Sequence, residues 1–214
     1  MKKMIKVALL SLAVLLPSAA VNAATLSLIG GNSGVTLPGN FSGASHLSLT
    51  GLQAGGDQVT TFDSSTPNQG LALSGTATIR FDYLGKEAGY INKAIELAGL
   101  GILFSTDTAV AGASSVTVTL TPGANGLLPF KFTTSGGGGR EAENGNIDNP
   151  LAIAFSQLSQ DGKSIIALFG DGAGDHDFDD MAIRISVVPL PPALLLFGGA
   201  LLGLGWLSKT RKAA

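Results

Sequence analysis

Ten consecutive positions, Asp171-Gly172-Ala173-Gly174-Asp175-His176-Asp177-Phe178-Asp179-Asp180, hold five of the 15 acidic residues of this 214-residue chain. Carboxylates this dense repel one another, and solvent, protonation or a bound cation must relieve the repulsion. A hard cation with oxygen ligands does so most economically. Calcium fits best, because it accepts many carboxylate and carbonyl oxygens in flexible geometry. Asp175, Asp177 and Asp179 alternate, so a turning backbone could aim them at one point. Gly172 and Gly174 permit the tight turns that such a loop needs, and Phe178 is placed to anchor it in a core. The candidate ligands are therefore Asp171, Asp175, Asp177, Asp179 and Asp180, with Ca2+ as the candidate cofactor. The same stretch also reads as a solvated acidic turn between two strands.

The spacing is not that of an EF-hand. Asp175-x-Asp177-x-Asp179 opens like one, but Asp180 stands where the glycine belongs and Ser186 where the bidentate glutamate belongs. The acidic stretch is flanked by β-like runs, Lys163 to Gly170 and Met181 to Val188, rather than by helices. Two carboxylates for glycoside hydrolysis need separation across a sugar and one raised pKa, which neighbouring aspartates in a glycine loop do not suggest. Only two histidines are present, His46 and His176, and neither has a nominated nucleophile, so no catalytic set can be assembled and no enzyme is expected.

The elements that must position the loop read as strands. Thr, Ser, Val and Gly are abundant, with 30 glycines, and charged residues make up 13% of the chain. Short runs bounded by turn residues occur at Thr25–Ile29, His46–Leu52, Leu71–Tyr83, Ile102–Ser105, Ser115–Thr121, Leu127–Thr133, Leu151–Phe155 and Ser164–Phe169. Within Leu71–Tyr83, Ala77, Ile79, Phe81 and Tyr83 share one face, and Thr76, Thr78, Arg80 and Asp82 share the other. Between the strands, Glu87 and Asn92 are ligands or ordinary turn residues, and the polar run Arg140–Pro150 either completes an oxygen cage or is a solvated loop. The glycines of Ser135–Gly139 lack the lysine and hydroxyl residue of a phosphate-binding loop. No long amphipathic helix is visible between residues 24 and 188. The expectation is an all-β protein, an antiparallel β-sandwich of jelly-roll-like kind.

Charge and cysteine content narrow the function. No cysteine is present, which excludes disulfides, thiolate metal sites and cysteine nucleophiles. Six of the 13 basic residues lie at the two ends. The remaining seven face all 15 acids, a balance of 7 − 15 = −8. An acidic body argues against nucleic acid as a partner and suits cations.

Both ends differ from the body. Lys2, Lys3 and Lys6, then apolar Val7–Leu16, then Val21-Asn22-Ala23 form a secretory signal peptide over residues 1–23, with signal peptidase cutting between Ala23 and Ala24. After residues 24–188, Pro189-Leu190-Pro191-Pro192 ends the last strand. Ala193–Leu207 then reads as a single transmembrane helix, and Lys209, Arg211 and Lys212 as its cytoplasmic flank.

This order of proline motif, short apolar helix and basic cluster, over Val188–Ala214, resembles the PEP-CTERM sorting signal of Gram-negative bacteria, with Pro189-Leu190-Pro191 in place of the usual Pro-Glu-Pro. The resemblance implies processing near Pro189, Leu190 and Pro191 by an exosortase-type transpeptidase of the inner membrane. Phe169–Asp180 is similar to the Gly/Asp signature of the DUF4114 family. Asp171, Asp175, Asp177 and Asp180 match it, Gly170 replaces a glutamate and Asp179 an asparagine. That likeness implies a β-sandwich on secreted or surface proteins and calcium at the acidic loop. The expected function is an exported, non-enzymatic, calcium-stabilised cell-surface or matrix protein associated with exopolysaccharide. The alternative is a carbohydrate-binding module, although aromatics are only 6% of the chain and Trp206 lies in the tail.

Overall fold

The computed structural model describes residues 23–189 except 44, 124, 137–138 and 173–176. Residues 1–22 of the expected signal peptide, Asp175 and His176, Leu190 and Pro191, and the apolar segment 193–207 lie outside the described residues.

The described chain is all-β with antiparallel sheets, as a β-sandwich requires. Its strands in order are β1 (Leu26–Ile29), β2 (Asn32–Thr36), β3 (Gln58–Phe62), β4 (Gly70–Leu73), β5 (Ala77–Gly85), β6 (Asn92–Glu96) and β7 (Gly101–Ser105), then β8 (Ser115–Leu120), β9 (Phe130–Thr134), β10 (Glu141–Glu143), β11 (Asn146–Ile147), β12 (Ala152–Phe155), β13 (Ser164–Gly170) and β14 (Met181–Val187). One sheet has the order β2-β3-β12-β13-β14-β5-β8, a second β11-β10-β9-β6-β7, and a small third pairs β1 with β4.

The core lies between the two larger sheets. Ile79, Phe81 and Tyr83 of β5, Ile153 and Phe155 of β12, Phe169 of β13 and Ile183 of β14 meet Ala94, Phe104, Phe130 and Phe132 from the other sheet. Phe132 stacks on Phe169 with ring centroids 5.0 Å apart, and Phe130 meets Phe155 edge-on at 6.4 Å. The period-two reading of β5 holds: Ile79, Phe81 and Tyr83 are buried and Arg80 is exposed.

Strands β12 and β13 and the first residues of β14 do not alternate, because both of their faces are covered. Ala152, Ala154, Ile166, Leu168 and Ala182 turn away from the main core into a second cluster. That cluster is closed by Leu37, Phe41 and Leu47 from the long β2–β3 connection, residues 37–57, together with Phe178 of the acidic loop. Strands buried on two faces read as continuous apolar runs.

Two expectations are corrected. His46–Leu52 is not a strand: it forms turns and a short 3-10 helix at Ser48–Thr50, ended by Gly51 at φ 72°. Leu47 and Thr50 are buried at a three-residue interval, which a helical turn places on one face and a strand would place on opposite faces. Leu71–Tyr83 is two strands, not one. β4 pairs with β1 and β5 pairs with β14 and β8, the chain crossing between sheets at Ser74-Gly75-Thr76.

Candidate metal centre

The acidic loop joins β13, the middle strand of the seven-stranded sheet, to its neighbour β14, and starts from the register Phe169↔Met181. Phe178 takes a left-handed backbone, φ 61°, and buries its ring in the second core. Such a conformation costs a non-glycine residue about 1–2 kcal/mol. Burial of the aromatic ring offsets that cost.

The four described aspartates of the loop are buried, so it is not a solvated acidic turn. Asp177 Oδ2 accepts a hydrogen bond from Asn40 Nδ2 at 2.9 Å, and Asp179 Oδ2 accepts one from the Ser42 amide at 2.6 Å. Asp180 Oδ2 accepts from the Asp171 amide at 2.6 Å, closing the loop on itself. The segment between β5 and β6 joins from the other side. The Glu87 amide donates to the Asp179 carbonyl at 2.8 Å, and Asn92 Nδ2 donates to the Asp180 carbonyl at 3.2 Å.

These contacts gather three carboxylates. One oxygen from each of Glu87, Asp179 and Asp180 lies within 4.8 Å of the other two. At an effective dielectric of about 20, each charged pair at that distance repels by about 3 kcal/mol. Among the described residues the ion pairs are Arg80–Asp82 and Lys131–Glu141, so no lysine or arginine answers Asp179.

The donor set fits a calcium ion. Oxygens bound at about 2.4 Å on opposite sides of an ion are about 4.8 Å apart, so the three can share one coordination shell. Asp179 is 1% exposed, and its Oδ1 has no hydrogen-bond partner among the described residues. Asn92 Oδ1 is buried without one too. The Asn92 amide cannot be turned over to relieve this, because its oxygen would then face the Asp180 carbonyl. A buried acceptor without a donor is costly, and a cation would supply what is missing. An all-oxygen shell suits a hard cation such as calcium better than zinc.

Of the five candidate ligands, Asp179 and Asp180 enter this trio. Asp171 joins the loop through its amide, Asp177 is engaged by Asn40, and Asp175 lies outside the described residues. Glu87, open in sequence between ligand and turn residue, is exposed and belongs to the trio. Asn40 and Ser42 are the partners that sequence reading missed: they lie 137 residues from the carboxylates they contact, with no local signal. Arg140–Pro150 forms the β10–β11 hairpin. Its Asn144 is buried, accepting from the Leu71 amide and donating to the carbonyls of Leu71 and Leu128. Ala23 and Pro189 are exposed at the two ends, with Ala24 half-buried. Among protein-family models and curated proteins, nothing matches this chain.

Proposed function

We propose that this chain is an exported, non-enzymatic surface or matrix protein whose jelly-roll-like β-sandwich is stabilised by calcium. The ion would tie together three segments distant in sequence: the acidic loop, the β5–β6 connection and, through the Asp179–Ser42 bond, the cover over the second core. The observation that carries this reading is the carboxylate trio with its buried, unsatisfied Asp179 Oδ1. Export by the signal peptide, anchoring by the helix over 193–207, exosortase-type processing at Pro189-Leu190-Pro191 and association with exopolysaccharide are supported by the order of residues at the two ends. A carbohydrate-binding module draws less support, since Tyr90 is the exposed aromatic among the described residues and one ring makes no platform.

An ion that binds only the folded state stabilises it by mass action, by about 2.7 kcal/mol at a hundredfold excess over Kd. Thermal melting of the purified protein in calcium and in chelator tests this. The expected result is a higher Tm with calcium, a shift that Glu87→Gln reduces or abolishes. Glu87 is exposed, so its replacement leaves the core intact. Identical melting in both conditions would remove calcium from the proposal.

A further inference from the structure

The β6–β7 hairpin ends in Leu97-Ala98-Gly99-Leu100-Gly101-Ile102, six residues without a charge. Leu97, Leu100 and Ile102 are 39%, 58% and 56% exposed. The turn that presents them is built, not loose. Glu96 is buried, and its carboxylate accepts the Ala98 amide and, at 2.9 Å, the Leu100 amide. A buried acid thus holds apolar side chains out into solvent, the reverse of the usual partition.

The position of this tip in the fold says what it faces. β6 and β14 both start at the acidic end, where Asn92 Nδ2 meets the Asp180 carbonyl. Both run away from it, so the hairpin tip and the exit of β14 share the opposite end of the sandwich. Backbone hydrogen bonds trace the connection. Val187 N donates to Lys163 O and Leu26 N to Gly162 O, β1 pairs with β4 at Leu26↔Leu73, Leu128 N donates to Leu71 O, and Leu97 N donates to Pro129 O. The apolar segment 193–207 begins six residues after Val187, with Pro189, Pro191 and Pro192 in between. Six residues reach about 20 Å at full extension. If that segment is inserted, the exit end of the sandwich lies within that distance of the lipid surface.

We propose that Leu97, Leu100 and Ile102 rest in the lipid surface from which segment 193–207 emerges, standing the sandwich end-on with its acidic loop farthest from the membrane. This rests on the reading of 193–207 as a membrane span. The tip has no charge to desolvate on entering the headgroup boundary, and its aliphatic side chains gain from leaving water. Val110, also exposed, follows β7 at the acidic end and stays in water.

The chain has no cysteine, so single-cysteine labels are unambiguous. Full-length protein carrying Leu100→Cys or Val110→Cys, each with an environment-sensitive fluorophore, is reconstituted into phosphatidylethanolamine–phosphatidylglycerol vesicles bearing nitroxide lipids. Flotation reports the anchor separately from the label. The expected result is that both variants float, that the Leu100 label loses most of its emission to the nitroxides, and that the Val110 label keeps its own. Flotation with both labels unquenched, or both quenched alike, overturns the tip contact alone. Failure to float overturns the anchor reading and the tip contact with it.

Discussion

At the scale of the residue, several polar side chains in this protein are placed where apolar ones would be cheaper. Asn144 is the clearest. It is buried and bonds to both backbone groups of Leu71 and to the Leu128 carbonyl, fastening β4 and the approach to β9 around the turn between β10 and β11. Removing the side chain leaves one amide and two carbonyls buried without it. Asn144→Ala is expected to cost about 2–4 kcal/mol, from three lost bonds and their desolvation, read as a fall in the urea midpoint. In the trio, Asp179 has one oxygen satisfied by Ser42 and one without a donor among the described residues, a state that the proposed ion would complete.

At the scale of the element, the β2–β3 connection is a cover, not a loop. Leu37, Phe41 and Leu47 close the second face of β12, β13 and β14, and Asn40 and Ser42 pin the same segment to the acidic loop. Gly43 permits the close pass, since a Cβ there would run into the Leu52 carbonyl and the Phe41 ring. Phe41→Ala should therefore do more than leave a cavity. It is expected to cost about 3–5 kcal/mol and to raise binding of a hydrophobic dye, because the uncovered sheet face is apolar. Loss of stability with no added dye binding would mean that the cover closes without its phenylalanine. By the same coupling, the proposed calcium would brace an element that does not itself belong to the trio.

At the scale of the whole molecule, the two larger sheets are joined by aromatic packing that includes one titratable ring. Tyr83 of β5 lies against Phe104 of β7, 5.9 Å between centroids, and burial pushes its phenol up to about 12 from an ordinary 10. The fold holds the neutral phenol. Above pH 10 the unfolded chain releases this proton and the folded chain keeps it until about pH 12. This contribution is therefore complete below pH 10 and is lost as pH rises through that window, up to about 3 kcal/mol. Unfolding midpoints measured from pH 9 to 11.5 should fall more steeply for the native sequence than for Tyr83→Phe, which keeps the ring and removes the proton. Parallel curves would mean that the phenol reaches water in the folded state.

Sequence alone determined what local periodicity and composition encode. Alternation in Ala77–Tyr83 specified which side chains of β5 face inward, the turn residues marked an antiparallel all-β chain, and Phe178 declared itself an anchor. The clustering of aspartates announced an electrostatic problem before any fold was known. Tertiary structure decided which groups share it. Glu87 arrives from another connection, Asn40 and Ser42 from 137 residues away, and Asp177 is drawn off to an amide, because contacts between distant segments leave no trace in the spacing of either. It decided too that His46–Leu52 would coil over a sheet and that Leu71–Tyr83 would serve two sheets, since burial on a second face overrides the preference of a short run to extend.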